Sequence, residues 1–189
     1  AQVGAIGQVE AREMNQCPPR WDNEACKEMR CRDPVAALAM VETVEAHRMQ
    51  RNSIGSRVDL QITGLPLGLG EPWFDGLEPA LARAMIAIPA ARGVTFGRGF
   101  DAVRMTGLEH NDPWGGTAEK PILSGEKPDG VIAGLATGSP IHISVAFKPP
   151  SSIASEQHTL NLETETIEPL VVGGSHDPVL GPRAVAVVE

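Results

Sequence analysis

The chain of 189 residues contains no tyrosine, and aromatic residues make up only 4% of it. Its core must therefore be aliphatic rather than built from packed rings. Basic residues are also scarce. Lys and Arg number 16 against 24 Asp and Glu, a formal net charge of −8. A surface of that sign excludes the basic footprint by which nucleic acids and anionic membranes are bound. No apolar run approaches the roughly 18 residues of a membrane-spanning helix. The opening residues, Ala1-Gln2-Val3-Gly4-Ala5-Ile6-Gly7, lack the basic head and apolar stretch of a secretory signal. Hydrophobic heptads and tandem repeats are absent, which excludes coiled coils and solenoids. Walker loop, dinucleotide fingerprint, nucleophile elbow and zincin motif are absent too.

Three cysteines, Cys17, Cys26 and Cys31, lie in one stretch of the chain. An odd number without regular spacing is no disulfide framework. A zinc site, with His47 as a further ligand, is the competing reading. Structural zinc shows close Cys pairs; here only Cys26 and Cys31 come near that spacing, and a second pair is missing. The expectation is reduced thiols in a cytoplasmic protein, with no metal site.

Hydrophobic residues, at 42%, suffice for a core. Residues 8–32, rich in charge, Cys and Pro, read as an irregular connector. Asp33-Pro34 then predicts a helix start, with Asp as cap and Pro at the first helical position. Val35, Leu38 and Val41 recur at helical spacing up to Met49. Val58, Leu60 and Ile62 alternate with Arg57, Asp59 and Gln61, the pattern of a half-buried strand. Three Gly and two Pro in Gly64–Pro72 exclude regular structure there. Glu78-Pro79 predicts a second helix, and short strands are expected near Val94–Phe96 and Ala102–Thr106. Residues 108–130 read as loop. Ile141–Phe147 is the cleanest alternating strand, and Leu160, Leu162, Thr164 and Thr166 suggest one more. Alternating strands and helices favour α/β or α+β layers. The abrupt ends, the last within apolar Ala184–Val188, suggest a segment of a longer protein.

Three loops have chemical potential. Gly64–Asp75 carries Glu71 between Gly70 and Pro72. Lys148-Pro149-Pro150-Ser151-Ser152 follows the alternating strand, and its cation, hydroxyls and backbone N–H groups suit a phosphate or a polar ring edge. Gly173-Gly174-Ser175-His176-Asp177-Pro178 offers close backbone approach and two groups capable of proton transfer. Each has a plainer reading: a structural Gly/Pro loop, a solvated turn, and an Asx-type turn. His47, His110, His142 and His158 stand alone.

The order and spacing of these landmarks say more than any one of them. They run from Ser53-Ile54-Gly55 to Gly64-Leu65-Pro66-x-Gly68-Leu69-Gly70-Glu71-Pro72-x-Phe74-Asp75-x-Leu77. Then come Ala87-Ile88-Pro89-Ala90-x-Arg92-Gly93-Val94, Gly97-x-Gly99-Phe100 and Asn111-Asp112. The last are Phe147-Lys148-Pro149-x-Ser151-Ser152-Ile153, His176-Asp177-Pro178 and Arg183-Ala184-Val185. This series resembles the chorismate synthase family. The resemblance implies an α+β fold, a β-α-β sandwich of which this chain holds an incomplete part. Residues 1–189 would be one partial domain, with residues 1–52 a connector and first helix and residues 53–189 the family-like core.

The resemblance also implies chemistry. The family eliminates phosphate in a 1,4-anti sense from 5-enolpyruvylshikimate 3-phosphate, giving chorismate. It requires reduced FMN, is usually a homotetramer, and supplies aromatic amino acid biosynthesis through the shikimate pathway. Carried over residue by residue, Lys148, Pro149, Pro150, Ser151 and Ser152 match a flavin-binding run, with Pro150 in place of Thr. Pro89 and Ala90 fall where the family touches FMN, and Ala133 takes a Gly position on the flavin. Asp177 matches an Asp that takes a proton near the flavin N5, and His176 would orient its loop. Ser175 stands where the family has Arg, a change from a bidentate cation to a hydroxyl. The stretch Glu126-Lys127-Pro128-Asp129-Gly130 departs from the family's Gly-rich loop. A Gly-Glu-Ser-His-Gly motif, a second catalytic His and several Arg of the family have no match here. These absences predict little activity for this chain alone. The alternative is a non-catalytic flavin-binding or assembly relative.

Overall fold

The computed structural model describes residues 1–125 and 128–189. Strands β1 (Gln2–Ile6) and β2 (Val9–Glu10) come first, followed by helices α1 (Glu24–Met29) and α2 (Pro34–Met49). Strand β3 (Ser56–Ile62), helix α3 (Leu77–Ile86), strand β4 (Ala91–Phe96) and the short α4 (Gly107–His110) come next. Small strands β5 (Trp114–Gly116), β6 (Pro121–Leu123), β7 (Val131–Ile132) and β8 (Leu135–Ala136) precede the long β9 (Ile141–Phe147). The chain closes with β10 (Gln157–Asn161), β11 (Thr166–Leu170) and α5 (Gly181–Val188). The main sheet runs β2-β1-β3-β9-β4, and β5-β6, β7-β8 and β10-β11 form separate antiparallel hairpins. This mixture of helix and strand bears out the expected α+β class. Among the described residues no helix is long and apolar enough to cross a membrane.

The chain divides into two compact units. One comprises Gln2–Val58 and Phe147–Ala186; the other comprises Ala1, Asp59–Ala146 and Val187–Glu189.

In the first unit every residue of β1 is buried, Gln2 included. A buried amide must be paired. Gln2 Nε2 donates to the Arg12 carbonyl at 3.2 Å, and its Oε1 accepts from Arg32 N at 3.3 Å. Asp33 caps α2 as expected, accepting from Val35 N at 3.1 Å and Ala36 N at 3.4 Å. It also accepts from Arg12 Nε at 2.9 Å and Arg12 N at 3.2 Å, which ties the strand segment to the helix start.

Three local expectations in this unit need correction. Residues 8–32 are not irregular throughout: they hold β2 and α1, capped by Asn23, whose Oδ1 accepts from Cys26 N at 3.0 Å. Only Cys26 and Met29 of α1 are buried, too few to print a periodic signal. The buried face of α2 is Ala36, Ala37 and Met40, while Val35 and Leu38 are exposed. Small alanines let α2 approach α1 and β1 closely. The suggested strand near Leu160–Thr166 is a hairpin: Asn161 pairs with Thr166, and residues 162–165 turn between them. Finally, α5 forms in apolar sequence whose helical character went unpredicted.

In the second unit α3 packs on β4. The Gly64–Pro72 loop lies along β8, with Gly68 N donating to Ala136 O and Ala136 N to Leu69 O, both at 2.8 Å. Leu77 N donates to Gly134 O at 3.0 Å. A Cβ on Gly76 would lie 2.8 Å from Gly134 Cα, so the backbones meet without side chains between them. Ala102–Thr106 is not a strand, since Gly99–Arg104 is a 3-10 helix. Within 108–130, read as loop, lie the end of α4 and the β5-β6 hairpin; the capping box of Thr106 and Glu109 starts α4.

The Arg12 guanidinium beside Asp33 holds its carboxyl at about 2, against an ordinary 3.8, while burial acts in the opposite direction. The unfolded chain therefore binds the extra proton between these values. Stability from this group is full above pH 4 and is lost as pH falls towards 2. Arg12 is solvent-exposed and screened, so the loss is about 1–2 kcal/mol. Urea midpoints measured against pH are expected to fall more steeply for the parent chain than for Asp33→Asn, which keeps a capping oxygen.

Candidate active site

The turn from α2 into β3 fixes the site loops. Ser53 Oγ donates to the Pro150 carbonyl at 2.6 Å. The next residue, Ile54, donates its N–H to the Pro178 carbonyl at 2.8 Å. Gly55 O accepts from Gly7 N at 3.1 Å, and a Cβ on Gly55 would lie 3.2 Å from Phe147 O and 3.5 Å from Pro149 Cδ. Three consecutive residues thus hold both loops that the sequence singled out.

The first loop is pinned at its far end as well. Ser155 N donates to Arg51 O at 3.0 Å, and Ser155 Oγ lies within bonding distance of the Gln50 and Arg51 carbonyls. Between the pins, Lys148, Pro149, Ser151 and Ser152 are exposed and Pro150 is half-buried.

The second loop is closed on itself. His176 Nε2 donates to the Val172 carbonyl at 3.0 Å. Asp177 Oδ2 meets Arg183 Nη1 of α5 at 2.7 Å. Ser175 is exposed. Lys148 through Ser152 and Ser175 through Asp177 are therefore fastened to neighbouring points of one short segment. Ser53 and Arg183 stood among the spaced landmarks, but their roles were not read. The Ser53–Pro150 bond spans 97 residues, which no local pattern encodes.

Pro89, Ala90 and Ala133 belong to the other unit. Ala91 N donates to Ile88 O at 3.1 Å, with Pro89 and Ala90 between them and Ala90 at φ +68°. That is a type II turn, with Pro in its favoured place and Ala where Gly is preferred. Ala133 and Gly134, at φ +52° and +89°, form the two-residue turn between Ile132 and Leu135. Positive φ at both positions marks a type I′ hairpin, again with Ala in a left-handed place. Beside this turn lies a hollow of about 480 Å³ lined by Pro72, Trp73, Glu78, Pro79, Ala133 and Gly134. A smaller cavity of about 120 Å³ is lined in part by His110, Asn111, Asp112 and Asp129. Of the divergent stretch noted in the sequence, Glu126 and Lys127 lie outside the described residues.

The three thiols are free and buried. Burial, the largest cause, pushes the Cys31 thiol up to about 11, and it also raises that of Cys26. Among the described residues no group of three or more His, Cys, Asp or Glu side chains is placed to hold a metal ion.

The family profile of chorismate synthase matches residues 1–189, the whole chain. The chain belongs to the chorismate synthase family. It is 41% identical over 167 residues to the chorismate synthase of Dehalococcoides mccartyi strain BAV1, covering 88% of this chain and 46% of that protein. The Halorubrum lacusprofundi chorismate synthase is 38% identical over 200 residues, covering all of this chain and 50% of its own length. That of Korarchaeum cryptofilum reaches 45% identity over 152 residues, covering 80% of this chain and 42% of its own length. The chain thus spans about half the length of these relatives. A crystal structure of chorismate synthase superposes with a TM-score of 0.71 over the whole chain and 52% of its own length, at 21% identity. That likeness is one of fold.

Two outcomes follow from the geometry. Ser53→Ala removes one hydrogen bond, a loss of about 1 kcal/mol. It should speed amide exchange in residues 148–155 while leaving 172–178 unchanged, whereas Gly55→Val, which crowds Phe147 and Pro149, should loosen the Lys148 loop more strongly. Ala133→Gly should raise the urea midpoint, a gain of about 0.5–1 kcal/mol, because the left-handed strain removed exceeds the added freedom of the unfolded chain.

Proposed function

We propose that this chain forms part of a chorismate synthase, a carbon–oxygen lyase acting on phosphates. The reaction is the 1,4-anti elimination of phosphate from 5-enolpyruvylshikimate 3-phosphate, with reduced FMN as cofactor. The observation that carries this reading is the attachment of the Lys148–Ser152 and Ser175–Asp177 loops to Ser53, Ile54 and Gly55, in a chain matched throughout by the family. The reading also takes the protein as a cytoplasmic homo-oligomer, a tetramer as in the family.

The Lys148 loop fits a phosphate-bearing cofactor. Its ammonium brings three donors, and the Ser151 and Ser152 hydroxyls add two more. All three side chains are exposed, and none has a partner among the described residues. Ser53 occupies the Pro150 carbonyl, an oxygen that would otherwise repel an anion. Pro149 and Pro150 limit the loop's freedom before binding, which lowers the entropy lost on association. Pro89, Ala90 and Ala133 offer backbone and small apolar surface, suited to an uncharged ring rather than a phosphate.

These residues would hold reduced FMN, which would supply electron density for the departure of the substrate phosphate. The residues of this chain hold, orient and move protons. Asp177 is the proton-accepting carboxylate. Arg183 takes its Oδ2 and leaves Oδ1 for the transfer. His176, donating to the Val172 carbonyl, sets the direction of the loop that carries Asp177. Ser175 contributes a single hydroxyl where the family has Arg, so it grips an anion through one donor rather than a fork.

That exchange, with the net charge of −8, favours a second reading: a relative that binds flavin without turnover. The two are separable. The 189-residue chain is expected to bind FMN in a fluorescence titration, with affinity lost in Lys148→Met, and to show no turnover by itself. In a full-length chorismate synthase carrying this segment, Asp177→Asn should lower kcat by about 10²–10⁴-fold. Unchanged kcat would remove Asp177 from the mechanism. Flavin binding without turnover in that full-length protein would establish the second reading.

A further inference from the structure

Cys26 and Cys31 stand at the two ends of one local motif. Helix α1 ends at Met29, and Arg30 turns the chain with φ +53°, a left-handed place for a residue with a side chain. Arg30 and Cys31 both give their N–H to the Cys26 carbonyl, Cys31 at 3.1 Å. A bond from the second residue past a helix back to the carbonyl five positions earlier marks a Schellman ending. In that ending the side chains at the two positions come into contact over the turn. Here both are thiols, and both are completely buried. Such a bond leaves the two Cα atoms on the order of 5–6 Å apart, the span over which a disulfide closes.

The turn is held from outside as well. Val3 N of β1 donates to Arg30 O at 2.9 Å, and the Cys31 thiol donates to Asp33 O at 3.7 Å, at the start of α2. Both sulfurs therefore occupy fixed positions where β1, α1 and α2 meet. Cys17 lies within electrostatic reach: after burial, it adds to what pushes the Cys26 and Cys31 thiols up. It stands outside the motif, in the segment before α1.

We propose that Cys26 and Cys31 are a redox modification site, closing an intramolecular disulfide in the folded chain while Cys17 stays a thiol. A low-molecular-weight disulfide such as oxidised glutathione is the oxidant. One cysteine, deprotonated, attacks a sulfur of that disulfide and expels a glutathione thiolate. The other attacks the mixed disulfide and expels the second. One S–S bond breaks and one forms, two electrons pass from the cysteine pair to glutathione, and the two thiol protons end on two glutathione molecules. Burial confines the first attack to moments of local opening. The bridge fastens the end of α1 to the segment that carries Asp33 into α2. This site does not rest on the flavin reading.

The test equilibrates the 189-residue chain in glutathione redox buffers, blocks free thiols with N-ethylmaleimide, and maps tryptic peptides by mass. Cleavage at Arg20, Lys27, Arg30 and Arg32 separates the three cysteines. The expected product joins Trp21–Lys27 to Cys31–Arg32, with Cys17 alkylated in Glu13–Arg20. The folded chain should be half-oxidised under conditions on the order of tenfold more reducing than the same chain in urea, because the fold sets the geometry. In the oxidised chain, exchange of the Cys31 amide should slow on the order of tenfold. The proposal is overturned if the folded chain stays reduced where the urea-unfolded chain oxidises, or if only glutathione adducts form. A bridge that includes Cys17, or an equal midpoint in urea, also decides against it.

Discussion

The short segment Ser53-Ile54-Gly55 is the constraint on which the candidate active site depends. It sits between a helix and a strand, where the chain must change direction. A hydroxyl, an amide and a missing side chain each serve one contact there. The hydroxyl holds the loop after β9, the amide holds the loop before α5, and the bare Gly55 lets Phe147 and Pro149 come close. Loops fastened at several points lose little further entropy when a ligand arrives. Rigid attachment therefore lets exposed polar side chains act from defined positions.

Charge is distributed unevenly on this background. An acidic chain is a poor general receptor for anions, so any anion site must be made locally. The Lys148 loop presents one ammonium and two hydroxyls on an exposed stretch. In the other unit, the hollow beside Ala133 shows Glu78 and no cation. The two surfaces present opposite charges, and neither follows from the net charge.

Much of the fold was legible wherever a local rule sufficed. Asp33-Pro34 started α2, and the alternation of β3 and β9 held, with Val58, Ile141, Ile143 and Val145 buried. The family was legible from the order of the landmarks, although no single one identified it. What escaped was governed by distance or by smallness. Short α1 buries only two side chains, and α2 packs through alanines, so the larger Val35 and Leu38 misdirected the choice of face. Ala102–Thr106 and Leu160–Thr166 were assigned to strands, where Gly99–Arg104 is a 3-10 helix and residues 162–165 turn, because alternation over a few residues does not distinguish a strand from a tight turn. In the site, the loops were found but their fastening was not. Ser53 to Pro150 and Asp177 to Arg183 are tertiary contacts without a sequence signature.

The buried thiols have a practical consequence. Cys17, Cys26 and Cys31 all lie in the first unit, on or beside α1, and a thiol held at about 11 is almost never a nucleophile at neutral pH. A maleimide or an alkyl iodide can then react with Cys31 only when this corner of the molecule opens. The rate of labelling would time that opening, so the protein carries its own clock for local unfolding, with no probe to be added by mutation.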